Sequence, residues 1–158
     1  MFEVPHMLAG EALGKVWPRA RYALPAGLLS HFVLDAVPHR EVTEIPGLSR
    51  TAVHILEPIG ILGAVALVAG LAWHKPQRWV MWGAAASAIL PDLLDYVHPI
   101  ARYWKTLPFT PPLTYLHNLI QCSSRGFPVG LGIANQVVVI ALALWILLRR
   151  DHPKVTAA

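Results

Sequence analysis

Long apolar stretches separated by short polar segments are the dominant pattern along this chain. Val129–Leu148 contains twenty residues without a charged side chain, and Arg149 and Arg150 come directly after it. A helix of this length rises about 30 Å, which matches the hydrocarbon thickness of a typical bilayer. The pattern therefore predicts a transmembrane helix over these residues.

Three further apolar stretches precede this one, and each predicts a helix: residues 22–37, 55–73 and 79–97. The polar link 74–78 between the last two is short, so they are expected to form an antiparallel hairpin. Residues 5–17 predict a short N-terminal helix that ends before Pro18, because proline lacks a backbone donor and interrupts a helix. Five prolines punctuate residues 99–128, which predicts irregular structure with aromatic side chains at the membrane interface.

Composition supports the same class of protein. The 158-residue chain is 55% hydrophobic and 14% charged, whereas charged residues make up about 25% of ordinary soluble domains. We therefore predict an all-α integral membrane bundle of about four transmembrane helices plus the short N-terminal helix. Residues 1–150 are predicted to form a single membrane-embedded helical domain, and residues 151–158 a flexible C-terminal tail.

The distribution of basic residues predicts how the bundle is oriented. With a cytoplasmic C-terminus, eight Lys and Arg lie on the inner side and five on the outer side, as the positive-inside rule favours. This predicts a multi-pass protein of the inner cell membrane. The net charge of +4 is spread out, without a basic run interleaved with aromatic residues, so no nucleic-acid partner is expected.

The ionisable residues of the apolar stretches collect at one end of the predicted bundle, which this orientation places at the outer face. They are His31, Asp35, His54, Glu57, Asp92, Asp95 and His98, with His117 in the next segment of the chain. A charge in the bilayer core costs at least about 2.5–3.5 kcal/mol, so such side chains usually face a shared polar site. Imidazole and carboxylate together are the usual donors for zinc, and they also suit manganese or iron.

The spacing of these residues favours a metal site. His31 and Asp35 are four residues apart and therefore project from one helix face. Asp92 and Asp95 lie at one apolar helix end, where two carboxylates repel each other unless a cation or a proton lies between them. His6 precedes Pro18 by 12 residues and His31 comes 13 residues after it, so a hairpin at Pro18 would bring His6 level with His31.

Three segments carry a resemblance to a known family: SHFVLDAVPHR (30–40), GAAASAILPDLLDY (83–96) and LHNLIQ (116–121). Together with the early His6, they resemble the membrane-bound metal-dependent hydrolases, small inner-membrane proteins likened to zinc-dependent phospholipase C. The resemblance covers most of the chain in order. It implies a metal site built from six residues: His6, His31, Asp35, Asp92, Asp95 and His117.

The sequence thus favours a metal-dependent hydrolase that acts on a phosphoester or ester, such as a membrane lipid, at the outer interface. Either Asp92 or Asp95 is a candidate general base, and Glu57 is a candidate for orienting a ligand histidine. One alternative is a non-enzymatic membrane protein that binds or moves a cation or protons. Another is a structural protein whose buried acids only pair with His or Arg.

Overall fold

A computed structural model of the chain describes residues 3–41, 45–122 and 127–149, and within them all regular structure is helical. The predicted all-α class is therefore confirmed, and the predicted tail 151–158 lies outside the described residues. The seven helices of the described part are α1 Glu3–Val16, α2 Ala20–Asp35, α3 Arg50–Ala72, α4 Arg78–Tyr96, α5 Ile100–Trp104, α6 Thr110–Cys122 and α7 Val129–Leu148.

Helix α1 lies at the centre of the bundle and packs against α2, α3, α4 and α7. Its side chains Met7, Leu8 and Ala12 belong to the buried hydrophobic core. Its last turn is tied to the end of α7, because the Lys15 ammonium donates hydrogen bonds of 2.9, 2.9 and 2.6 Å to the carbonyl oxygens of Ile146, Leu147 and Arg149. A cation at that position also suits the negative end of the α7 dipole.

Small residues allow α1 and α2 to approach α4 closely. A side chain at Gly10 or Gly27 would collide with the carbonyl oxygen of Ala84, and one at Gly14 would collide with the backbone of Met81. Glycine is needed at these positions because only a residue without Cβ permits such an approach. This close packing holds the two N-terminal helices in a fixed position along α4.

Two helices of the described residues, α3 and α7, are long and apolar enough to cross a membrane. The predicted count of about four transmembrane helices is not confirmed. Helix α2 has 16 residues, fewer than the ~20 that a crossing helix usually needs. Helix α4 has 19 residues but includes Arg78, Asp92 and Asp95, which lowers its overall hydropathy.

The prediction of irregular structure over residues 99–128 was wrong for most of that segment, where α5 and α6 form. The prolines are compatible with these helices because of where they lie. Pro99 is the residue before α5, and Pro111 and Pro112 are in the first turn of α6. Backbone N–H groups in a first turn have no intrahelical partner, so proline costs little there.

Candidate metal centre

His31 enters the centre from the last turn but one of α2, and its ring orientation is fixed by α4. Its Nδ1 atom donates a hydrogen bond of 2.8 Å to the carbonyl oxygen of Ala88. A carbonyl oxygen can only accept, so this contact places the proton on Nδ1 and leaves a lone pair on Nε2 of the neutral ring. The side chain is fully buried, and its Nε2 atom points toward the other site residues.

His117 enters the centre from α6 and is oriented in the same manner by a carboxylate. Its Nδ1 atom donates a hydrogen bond of 2.7 Å to Oδ2 of Asp95. The second oxygen of Asp95 accepts a hydrogen bond of 2.7 Å from the Thr114 hydroxyl, and Lys105 donates to the Asp95 backbone carbonyl at 3.0 Å. In the neutral ring the His117 Nε2 atom also presents a lone pair to the site, because the carboxylate holds the proton on Nδ1.

Four side chains come together at this point: His31, Asp35, Asp92 and His117, with one ligand atom from each lying within 4.8 Å of all the others. Oδ2 of Asp35 is 3.1 Å from Nε2 of His31 and 3.3 Å from Nε2 of His117. Oδ1 of Asp92 is 3.4 Å from Nε2 of His117. Four residues that are distant in sequence thus present nitrogen and oxygen donors to one small volume.

The two imidazoles face each other so closely that a proton or a metal cation must lie between them. Their Nε2 atoms are 3.0 Å apart, although each carries a lone pair when its ring is neutral. Asp35 is 1% exposed and Asp92 is 20% exposed, so negative charge is concentrated where water screens it poorly. Zinc binds imidazole nitrogen and carboxylate oxygen at about 2.0–2.2 Å, and one divalent ion among these four side chains would turn repulsion into coordination.

His6 lies beside this group of four rather than within it. Its ring stacks on the ring of His31 with centroids 4.4 Å apart, which is the placement that a hairpin at Pro18 requires. Its Nε2 atom is 3.1 Å from Oδ1 of Asp35, the oxygen that faces away from His117. His6 is fully buried, and this contact with Asp35 joins its ring to the edge of the cluster.

Asp95 and Glu57 occupy different positions from those expected of them. Asp95 lies behind His117, where both of its carboxylate oxygens accept hydrogen bonds. Glu57 is exposed and is not among the clustered residues. Between Val53 and Ala64 every residue of α3 is exposed except Ile61, so this part of the helix is not packed against the bundle.

Glu57 acts on the electrostatic environment of Glu3 at the start of α1. Burial raises the pKa of the Glu3 carboxyl above its ordinary value, and the negative charges of Glu57 and Asp92 raise it further. Glu57 therefore adds negative potential at this end of the bundle. The sequence suggested Glu57 for orienting a histidine of the site, and the structure shows that the two histidines donate hydrogen bonds to Asp95 and to the Ala88 carbonyl.

Three residues that support the site were not predicted from the sequence. Thr114 precedes His117 by three residues, so the two share a face of α6, but the segment was expected to be irregular. Asn135 and Gln136 lie in the apolar α7 and donate hydrogen bonds to the carbonyl oxygens of Pro38 and Arg40, at 2.8 and 2.9 Å. These bonds fix the segment that follows Asp35. Two neighbouring amide side chains within an otherwise apolar helix are the sequence feature that could have indicated them.

No protein-family model, curated protein or solved structure matches this chain. The chemistry of the site is therefore inferred from its own donors. The four clustered side chains could hold a metal ion. Three of them are fully buried, and Asp92 is the member that reaches the surface.

Proposed function

We propose that this protein is a membrane-embedded, metal-dependent hydrolase that cleaves an ester or phosphoester at the membrane interface, as its resemblance to the membrane-bound metal-dependent hydrolases implies. One observation carries the proposal. The His31 and His117 Nε2 atoms, 3.0 Å apart, are both turned inward by hydrogen bonds at Nδ1, and two aspartates accompany them. Orienting partners of this kind are typical of imidazoles that bind metals.

The donor set fits zinc, and also manganese or iron. A divalent ion held there would act as a Lewis acid and would lower the pKa of a bound water toward about 7. His31, Asp35 and His117 would hold the ion, since they are buried and fixed by α2, α4 and α6. Asp95 keeps the His117 ring in place and has no free oxygen with which to accept a further proton.

Asp92 is the candidate general base of this hydrolysis. Its side chain is 20% exposed, so it is the member of the cluster that an incoming substrate and water would meet. Its Oδ1 atom faces Nε2 of His117 at 3.4 Å, and the carboxylate can accept a proton from that water. Asp92 would take that proton as the water oxygen attacks the carbonyl carbon or phosphorus, and would return it to the leaving oxygen as the bond to the leaving group breaks.

The exposure of the apolar helices supports a location in the membrane. Only 17% of the most apolar part of α3 and 22% of that of α7 are buried within the bundle. A core helix of a soluble protein would be mostly buried, and such large apolar surfaces are rare on soluble monomers. We infer an inner-membrane location with the metal centre toward the outer face and the C-terminus in the cytoplasm.

The test combines metal analysis with an activity assay on protein purified in detergent. We expect near-stoichiometric zinc, manganese or iron, and metal-dependent hydrolysis of a fluorogenic ester or phosphodiester. His31→Ala should abolish both metal retention and activity, whereas His54→Ala should affect neither, because His54 is an exposed histidine outside the cluster. Asp92→Asn should lower kcat more than it lowers metal content. Bound metal without hydrolysis of any ester or phosphoester would contradict the enzymatic proposal.

A second candidate function, movement of protons or a cation, is favoured by one specific residue. Glu11 lies in α1 five residues after His6, is fully buried, and has no hydrogen-bond partner on either oxygen among the described residues. An ionisable group at such a depth in a membrane protein often marks an ion or proton path. Proton flux into proteoliposomes that is lost in Glu11→Gln but kept in Glu57→Gln would favour transport over hydrolysis.

A further inference from the structure

An apolar cavity of about 310 Å³ lies directly beside the metal centre, between α2, α4 and α6. Its walls include Leu28 and Phe32 from α2, Leu94 from α4, and Leu113 from α6. The volume is at the lower end of the range for small-molecule pockets, about 300–1,000 Å³. The space therefore suits one slender apolar group.

Three polar side chains in the wall of this cavity belong to the metal centre or support it. Asp95, Thr114 and His117 line it, and they are joined by hydrogen bonds of 2.7 Å from Thr114 to Asp95 and from His117 to Asp95. Because these groups satisfy one another, an apolar ligand can lie against them without leaving a buried polar atom unpaired. His117 connects the cavity to the cluster, since its Nε2 atom faces Asp35 and Asp92.

The rim of the cavity is apolar and exposed. Four of its leucines, one on α2, one on α4 and two on α6, are between 36% and 50% exposed: Leu28, Leu90, Leu113 and Leu116. In a membrane-embedded bundle, such side chains contact lipid hydrocarbon rather than water. The cavity would therefore be entered sideways from the bilayer, by a group that is already dissolved there.

We propose that this cavity binds one hydrocarbon chain of a lipid substrate and so places the scissile ester or phosphoester of that lipid beside His117 and the metal centre. This rests on the proposed hydrolase function and specifies its substrate class. For a single-chain ester supplied from water, each methylene that enters the cavity should improve binding about three- to fourfold until the cavity is full.

The first test is the dependence of hydrolysis on chain length. We expect kcat/KM for a series of single-chain esters with the same leaving group to rise with chain length and then level off. Leu94→Phe should narrow the cavity and lower kcat/KM at least tenfold for long chains, and by a much smaller factor for the acetate ester. Leu93→Phe is the matched control, because Leu93 is the adjacent, equally half-buried leucine and does not line the cavity. Equal rates for all chain lengths would overturn the inference without affecting the hydrolase proposal.

A second measurement does not depend on catalysis. A single-chain lipid with a photoreactive diazirine at its end, added to the protein in nanodiscs, should label α2, α4 and α6 at the cavity. That labelling should be saturable, and Leu94→Phe but not Leu93→Phe should reduce it. Labelling spread evenly over α3 and α7 would overturn the inference. Saturable labelling at the cavity in a protein that hydrolyses no ester would instead support the cavity and contradict the hydrolase proposal.

Discussion

At the scale of single residues, the site depends on which ring nitrogen of each histidine carries the proton. Ala88 and Asp95 act only as acceptors toward His31 and His117, so both Nδ1 atoms are donors and both Nε2 atoms are turned inward. The carbonyl is part of a helix backbone and cannot be removed by substitution. Asp95 and Thr114 can be changed, and each change has a defined consequence for His117.

Asp95→Asn should weaken metal binding about 10- to 100-fold, because the charged partner that fixes the His117 ring is lost. Thr114→Val should have a smaller effect in the same direction, since it removes one hydrogen bond to Asp95 and leaves the carboxylate. Competition with a zinc chelator measures both affinities. An unchanged affinity in Asp95→Asn would show that the backbone of α6 alone orients His117.

Glu11 is the residue whose position is hardest to reconcile with stability. A buried carboxyl without a hydrogen-bond partner costs about 1–3 kcal/mol, so Glu11→Met should raise the free energy of unfolding by a similar amount. Thermal unfolding in detergent measures the change, with the exposed Glu57→Met as a control that should have little effect. A loss of stability in Glu11→Met would show that an ion or water partners the carboxyl.

At the scale of elements, the close approach of α1 and α2 to α4 positions the site. His31 reaches Ala88, and His6 reaches Asp35, only if the helix backbones are nearly in contact. Gly10, Gly14 and Gly27 allow this contact. The glycines of α3 have a different role, since a Cβ at Gly60 or Gly63 would meet no atom within 4 Å.

Gly27→Ala should therefore destabilise the protein by about 1–3 kcal/mol, because the added Cβ would force α2 away from the Ala84 carbonyl. The same displacement would move His31 and should lower metal affinity. Gly63→Ala should be neutral or slightly stabilising, because alanine is the better helix former. Circular dichroism melting and metal content, measured on both variants, check the two expectations. Equal melting temperatures would show that α2 and α4 can separate without cost.

At the scale of the whole molecule, the candidate metal centre links helices α2, α4 and α6. A ligand that binds only the folded state stabilises it, by about 2.7 kcal/mol at 100 times its dissociation constant. Removing metal with a chelator should therefore lower the melting temperature, and restoring zinc should raise it again. The shift should be absent in a His31→Ala, Asp35→Ala double variant. A melting temperature unaffected by metal in the wild-type protein would argue against a bound ion.

The sequence alone determined the longer helices and the residue types of the site. Apolar runs end at charges and prolines because backbone and solvation energies act locally, so the predicted helix at Val129–Leu148 matches α7. The four-residue spacing of His31 and Asp35 likewise placed them on one face, because helix periodicity is fixed. Within residues 99–128 the helices α5 and α6 were not predicted. A proline can end a helix or begin one, and the sequence alone does not show which turn it will occupy.

Only the tertiary structure decided which aspartate of α4 points into the cluster and which one contacts His117 from behind. Asp92 and Asp95 have similar sequence surroundings, yet one points into the cluster and the other supports His117 from behind. That difference depends on the rotation of α4 against α6, which is set by packing over the whole interface. Glu57 was expected near the histidines but is exposed, because α3 does not pack at that level. Periodicity predicts which residues share a helix face, whereas the neighbour of that face is fixed by side-chain packing between distant segments.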